Sequence, residues 1–193
     1  MIRIFLLMVL FLLHDVYSFA GPFGTNMYDA KEKFSNITKY SSPSLPGEIY
    51  LASELPKLHS AFSSYLLIFG DNGLCGVAAM TKKFDHDRSG SDARLKYEEL
   101  KGQLSEKYGV PKSIEFLKAG ALWKNDNEFV SSLFHNERMH MCEWEFKDSD
   151  EIKRIYMLIQ PQDQSCSTVV LFYLYKNYDE LKKKEEIKEK NAL

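Results

Sequence analysis

The sequence has few cysteines, little net charge and no long apolar run after its first residues. Three cysteines in 193 residues are too few for a disulfide-rich scaffold, so the fold has to depend on an apolar core. The 25 basic and 27 acidic side chains nearly cancel, which leaves no basic surplus for binding nucleic acid. After residue 20 no segment approaches about 18 uninterrupted apolar residues, so we expect no stable membrane insertion of the mature chain.

The sequence also lacks the short motifs that mark common enzymes. It has no G-x-S-x-G nucleophile elbow and no glycine-rich loop of the dinucleotide-binding or P-loop type. We therefore expect no cofactor, and a catalytic centre, if there is one, has to be assembled from dispersed residues.

The first twenty residues have the pattern of a secretory signal peptide. The apolar run Ile4–Leu13 would form a helix of about 15 Å, half of a hydrocarbon core of roughly 30 Å. Ser18 and Ala20 supply the small residues of a cleavage site, which makes Gly21 the first mature residue. No cysteine lies near this point to carry a lipid. We predict an exported protein, periplasmic or secreted.

The mature chain predicts an α+β fold in which antiparallel β meanders pack against a few helices. Strands come in runs joined by hairpin-type turns and do not alternate singly with helices, which excludes a doubly wound nucleotide fold. The predicted strands are 48–53, 64–70, 74–82, 113–117, 138–146, 151–160 and 168–176. The predicted helices are 26–36, 91–108 with Ser91 as its N-cap, a short one after Asn125, and a charged tail from Tyr178.

We predict one domain over residues 21–176, preceded by the signal peptide at 1–20 and followed by a charged helical tail at 177–193. The order of elements also indicates two similar halves, near 24–82 and 90–176, each a helix followed by a meander.

Asp85, Asp87 and Ser89 are the candidate metal ligands. They occupy positions 1, 3 and 5 of a calcium-type loop, with Gly90 at position 6. The twelfth position is Lys96, where a bidentate glutamate is required. A solvated loop that leads into a capped helix is therefore the favoured interpretation.

The sequence does not determine whether the cysteines form a disulfide. An odd number allows at most one intramolecular disulfide among Cys75, Cys142 and Cys166, and the sequence does not fix the pairing or the oligomeric state. Cys142 lies on one face of a predicted strand with Trp144 and is interpreted as a small buried hydrophobe.

Trp123 and Trp144 are the candidate binding residues, because tryptophan is enriched at contact sites. The common alternative for each is a core position. A dispersed catalytic site would use His135, His140 or Cys75, although the histidine spacing matches no zinc-protease helix.

The order of several short pieces resembles a family of small exported bacterial proteins that has no established activity. The pieces are Phe23-Gly24 with Met27, Pro56-Lys57-Leu58-His59 with Phe62 and Tyr65, Gly73-Leu74-Cys75, Lys107-Tyr108-Gly109 with Pro111, Phe116-Leu117 with Gly120 and Trp123, and Glu137-Arg138 with Trp144. The opening half is also similar to the small domain of outer-membrane assembly lipoproteins of the BamE/SmpA type. The chain lacks their lipidated cysteine, so the resemblance does not imply membrane tethering.

An export signal, a large predicted sheet and the missing catalytic motifs together favour a non-enzymatic module that binds another protein through a sheet face or an edge strand. The alternative is a small hydrolase with a dispersed His/Cys site.

Overall fold

The computed structural model describes residues 21–147 and 150–191, and eight strands in this part of the chain form one antiparallel sheet. The strands are β1 (Ile37–Tyr40), β2 (Glu48–Ala52), β3 (Phe62–Gly70), β4 (Gly73–Thr81), β5 (Lys112–Leu117), β6 (Arg138–Glu145), β7 (Ile152–Pro161) and β8 (Ser167–Tyr175). The helices are α1 (Ser91–Tyr108), α2 (Phe129–Phe134) and α3 (Asn177–Asn191). The α+β prediction is confirmed.

The sheet consists of two four-stranded meanders that meet in the middle, in the order β1-β2-β3-β4-β8-β7-β6-β5. The last strand of each meander makes the junction, with Ala78 of β4 opposite Phe172 of β8. β1 and β5 are consequently the two edges. Every residue of β8 is buried, as expected for a continuous apolar run in a central strand. Whether the two halves superpose stays a prediction.

Helices α1 and α2 cover one face of the second meander. The buried side chains of α1 recur every three or four residues, which is the spacing of one helix face. This core cluster includes Tyr97, Leu100, Leu104, Phe129, Val130, Leu133, Cys142, Trp144, Ile155, Met157, Val169 and Leu171.

The segment that precedes β1 covers the same face of the first meander, but the helix predicted over 26–36 is wrong. Only Lys31–Lys33 forms a short 3-10 turn. The N–H of Tyr28 donates to the carbonyl of Leu74, and the N–H of Leu74 donates to the carbonyl of Asp29. Because these backbone groups bond to β4, and Tyr28 has a φ of 67°, the segment cannot continue an α-helix.

The opposite face of the sheet is also apolar and buried, with Ile49, Leu66 and Phe172 among its side chains. At one end α3 packs on it, where Leu181 contacts the cluster of Ile68, Cys75 and Leu174. Within the described residues no helix is long and apolar enough to cross a membrane. The signal peptide predicted at 1–20 lies outside the described residues.

Candidate functional site

The carboxylate of Asp87 caps helix α1. Its Oδ1 accepts a hydrogen bond from the N–H of Ser91 at 2.8 Å, and its Oδ2 accepts from the N–H groups of Asp92 at 3.0 Å and Ala93 at 3.1 Å. The prediction of Ser91 as the N-cap is wrong, because Ser91 is already the first helical residue and the helix takes its capping oxygens from further upstream.

The other candidate calcium ligands also have partners. The thiol of Cys166 donates to Oδ1 of Asp85 at 3.2 Å. The hydroxyl of Ser89 donates to Asp87 Oδ1 at 3.3 Å and lies 2.7 Å from the hydroxyl of Ser91. The loop therefore uses its oxygens to start α1 and to contact a buried cysteine, and calcium binding there stays the disfavoured alternative.

The two tryptophans have different environments. Trp144 is 3% exposed, and its indole N–H donates a 2.7 Å hydrogen bond to the carbonyl of Gly109. This side chain joins β6 to the end of α1 and is part of the core. Trp123 is only half-buried, and its ring stacks on His135 with 5.3 Å between centroids and 8° between planes. Of the two candidates, only Trp123 reaches the surface.

Exposed apolar side chains concentrate beside this stack, around the connection that leads from β5 to β6. Five of the twelve large apolar side chains that are exposed in the described residues lie between positions 116 and 139. We call them the β5 corner: Phe116, Leu117, Leu122, Phe134 and Met139. Leu122, at 80% exposed, is the most accessible of them. The N–H of Trp123 donates to Glu137 Oε2 at 2.9 Å, which ties the intervening loop to the start of β6.

Among the described residues no further strand pairs with the outer edge of β5, next to the β5 corner. The N–H of Lys118 donates to the carbonyl of Glu137, in a pair that continues the β5–β6 register. Because hydrogen-bonded and non-hydrogen-bonded pairs alternate along an antiparallel ladder, Ser113, Glu115 and Leu117 direct their N–H and C=O groups away from β6. These three residues are exposed.

A cluster of titratable side chains lies where α1 packs on β5 and β6. Single ligand atoms of Glu98, Glu115 and His140 all lie within 4.8 Å of one another. His140 Nδ1 is 3.5 Å from Glu115 Oε2. Lys101 Nζ is 3.4 Å from Glu98 Oε1 and 3.9 Å from Glu115 Oε1, so its ammonium group neutralises part of the acidic charge.

The interior side of this cluster is formed by Tyr97 and Cys142. The Tyr97 ring contacts the His140 imidazole with 4.6 Å between centroids. Burial lowers the pKa of His140 and raises the pKa of the Cys142 thiol, so both groups are held neutral. A neutral thiol is a poor nucleophile, and this His/Cys neighbourhood therefore lacks the electrostatics of a thiol hydrolase.

The structure does not bring the other candidate catalytic residues together. His140 contacts the helices on one face of the sheet, whereas Cys75 packs with Leu181 of α3 on the opposite face. His135 stacks on Trp123 at the surface. All three cysteines are free and buried.

A broad cleft lies elsewhere in the described residues. It has a volume of about 770 Å³ and lies between the segment before β1, the β3–β4 turn and α3. Its lining includes Lys31, Glu32, Glu48, Asp71, Glu185 and Lys188. Charges of both signs line it, with Lys31 Nζ 3.6 Å from Glu48 Oε2, and none of the candidate site residues contributes to it.

Sequence reasoning singled out His140 but not its neighbours, because Glu98 and Glu115 are far from it in the chain and each fits an ordinary solvated position. The pairing of β5 with β6 places Glu115 opposite His140 and leaves no local motif.

Comparison of the chain with protein-family models, with curated proteins and with solved structures gives no match. The resemblance to the BamE/SmpA-type domain stays a prediction.

Proposed function

We propose that this protein is an exported, non-enzymatic module that binds another protein through the β5 corner and the free edge of β5. The observation that carries the proposal is the coincidence of exposed apolar side chains with an unpaired strand edge. Monomeric surfaces scatter such side chains singly, and a local excess of them beside a strand edge is typical of an interaction site.

An extended segment of a partner is the ligand that this surface fits best. The outward N–H and C=O groups of Ser113, Glu115 and Leu117 can extend the sheet by one strand, because a strand edge offers main-chain hydrogen bonds. The apolar side chains next to the edge would contact alternate side chains of the added strand. Lys112 and Glu115 on the same short strand disfavour indiscriminate pairing of edges.

The sequence supports the compartment, since the leader pattern at 1–20 predicts export. A hydrolase finds less support, because Cys75 and His140 lie on opposite faces of the sheet.

Capture from the periplasmic or secreted fraction of the producing cells tests the proposal. The immobilised mature chain is compared with the double variant Leu122→Ser/Phe134→Ser and with Ser113→Pro, which removes one outward N–H from the edge. Leu95→Ser is the matched control, because Leu95 is 73% exposed on α1 and does not belong to the β5 corner.

We expect the wild type and Leu95→Ser to retain one stoichiometric partner and the two β5 variants to lose it, with melting temperatures unchanged. Equal capture by all four proteins, or no stoichiometric partner for the wild type, would contradict the proposal.

A further inference from the structure

We propose that Glu98, Glu115 and His140 form a binding site for a divalent metal ion of the zinc class at the junction of α1, β5 and β6. The three side chains come from three different elements, and their ligand atoms converge on one point of the surface. The site shares Glu115 with the edge of β5, but it uses the side-chain carboxylate whereas the edge uses the backbone, and it does not depend on the proposed function.

The spacing of the ligand atoms fits a metal ion better than it fits direct hydrogen bonds. Zinc binds nitrogen and carboxylate oxygen at about 2.0–2.2 Å, so two ligands of a tetrahedral site are roughly 3.4 Å apart. His140 Nδ1 and Glu115 Oε2 are already separated by 3.5 Å. That separation is too long for a good N–H···O hydrogen bond. The Glu98 side chain is 57% exposed and is free to close the remaining gap.

The two ring nitrogens of His140 have different environments. Nε2 is buried and has no hydrogen-bond partner among the described residues, whereas Nδ1 is the nitrogen that faces Glu115. Nδ1 is therefore the atom that the ring offers to a metal ion.

The donor set selects the class of metal. One imidazole nitrogen with two carboxylates suits zinc and its neighbours cobalt and nickel, whereas calcium and magnesium prefer ligand sets made only of oxygen. His140 is 12% exposed and is held by Tyr97 and Phe129, so the ring offers a fixed nitrogen. Three protein ligands leave a further position for solvent.

Lys101 is the internal competitor for this site. Its ammonium lies against both carboxylates, and it supplies the positive charge that a metal ion would supply. Metal binding therefore requires Lys101 to move to solvent. Neutralising this residue should strengthen metal binding, whereas a purely structural cluster would gain nothing from the change.

Titration of the full mature chain with zinc chloride by calorimetry tests the proposal, with reducing agent present. We expect one zinc ion per chain for the wild type and affinity weakened by about tenfold or more in His140→Gln. We expect tighter binding in Lys101→Gln. His86→Gln is the control, because His86 is exposed on the loop before α1, and it should bind zinc as the wild type does.

Cobalt spectroscopy and melting curves provide readouts that do not depend on affinity alone. Zinc should raise the melting temperature of the wild type, because a ligand that binds only the folded state stabilises it. Cobalt should bind without the near-ultraviolet thiolate charge-transfer band. Three results would each overturn the proposal. They are no zinc binding by the wild type or by Lys101→Gln, full zinc binding by His140→Gln, and a thiolate band from Cys142 in the cobalt spectrum.

Discussion

Gly90 lies directly under the ring of Phe129, and this contact joins the start of α1 to α2. The backbone of Gly90 has a φ of +67°, and a Cβ atom added there would be 2.4 Å from Phe129 Cδ1. The same glycine is the N-cap of α1, so the loop after β4 can enter the helix only if this position has no side chain.

Gly90→Ala should therefore destabilise the protein, whereas Gly102→Ala should stabilise it. The first change combines left-handed strain with a clash against a buried ring, and we expect a loss of about 1–3 kcal/mol. Gly102 lies inside α1 with nothing near its added Cβ, so alanine should gain about 0.5–1 kcal/mol from helix propensity. Urea unfolding of both variants measures the difference, and equal effects would contradict the role assigned to Gly90.

Asp87→Ala should destabilise the protein by about 2 kcal/mol, because three backbone N–H groups at the start of α1 lose their acceptor. Asp92→Ala is the matched control. Its carboxylate is exposed in the first turn, where it contributes only a few tenths of a kcal/mol or somewhat more through the helix dipole.

Calcium binding by the loop, the alternative that the sequence disfavours, is tested by melting curves recorded with and without calcium. Because Asp87 already serves α1, we expect millimolar calcium to leave the melting temperature of the wild type unchanged. An increase that disappears in Asp85→Asn would instead establish a calcium site.

The sequence predicts those elements whose signals are local. The end of α1 at Tyr108 matches the prediction and its start differs by one residue, because its apolar spacing is regular and Gly109 ends it with a φ of +84°. The apolar run of β8 identifies a central strand without any knowledge of its neighbours. By contrast, the helical spacing of Met27, Ala30 and Phe34 gives no sign of the hydrogen bonds to Leu74 that hold the segment before β1 extended.

The candidate site residues also divide into those with a local sequence signal and those that only tertiary contacts bring together. Trp123 and Trp144 are both visible as rare aromatic residues, but only the packing of β6 against α1 determines that Trp144 is buried. The cluster of Glu98, Glu115 and His140 depends on a strand register and a helix orientation. Neither is encoded in the neighbourhood of any one of the three residues.

The buried tyrosines should make the fold sensitive to alkaline pH. Burial raises the pKa values of Tyr97, Tyr156, Tyr173 and Tyr175 above the ordinary value of about 10. These side chains stay neutral in the folded protein while the unfolded chain loses their protons. The free energy of unfolding is therefore unaffected by these groups below about pH 10 and falls as the pH rises above it.

Urea unfolding between neutral and strongly alkaline pH measures this slope, and Tyr97→Phe should make it shallower because one proton-linked group is removed. Tyr28→Phe is the control, since Tyr28 is 47% exposed and should leave the slope as it is in the wild type. Two results would show that burial of these hydroxyl groups is not the cause. One is a free energy of unfolding that stays constant above pH 10 in the wild type, and the other is a slope that Tyr28→Phe reduces as much as Tyr97→Phe does.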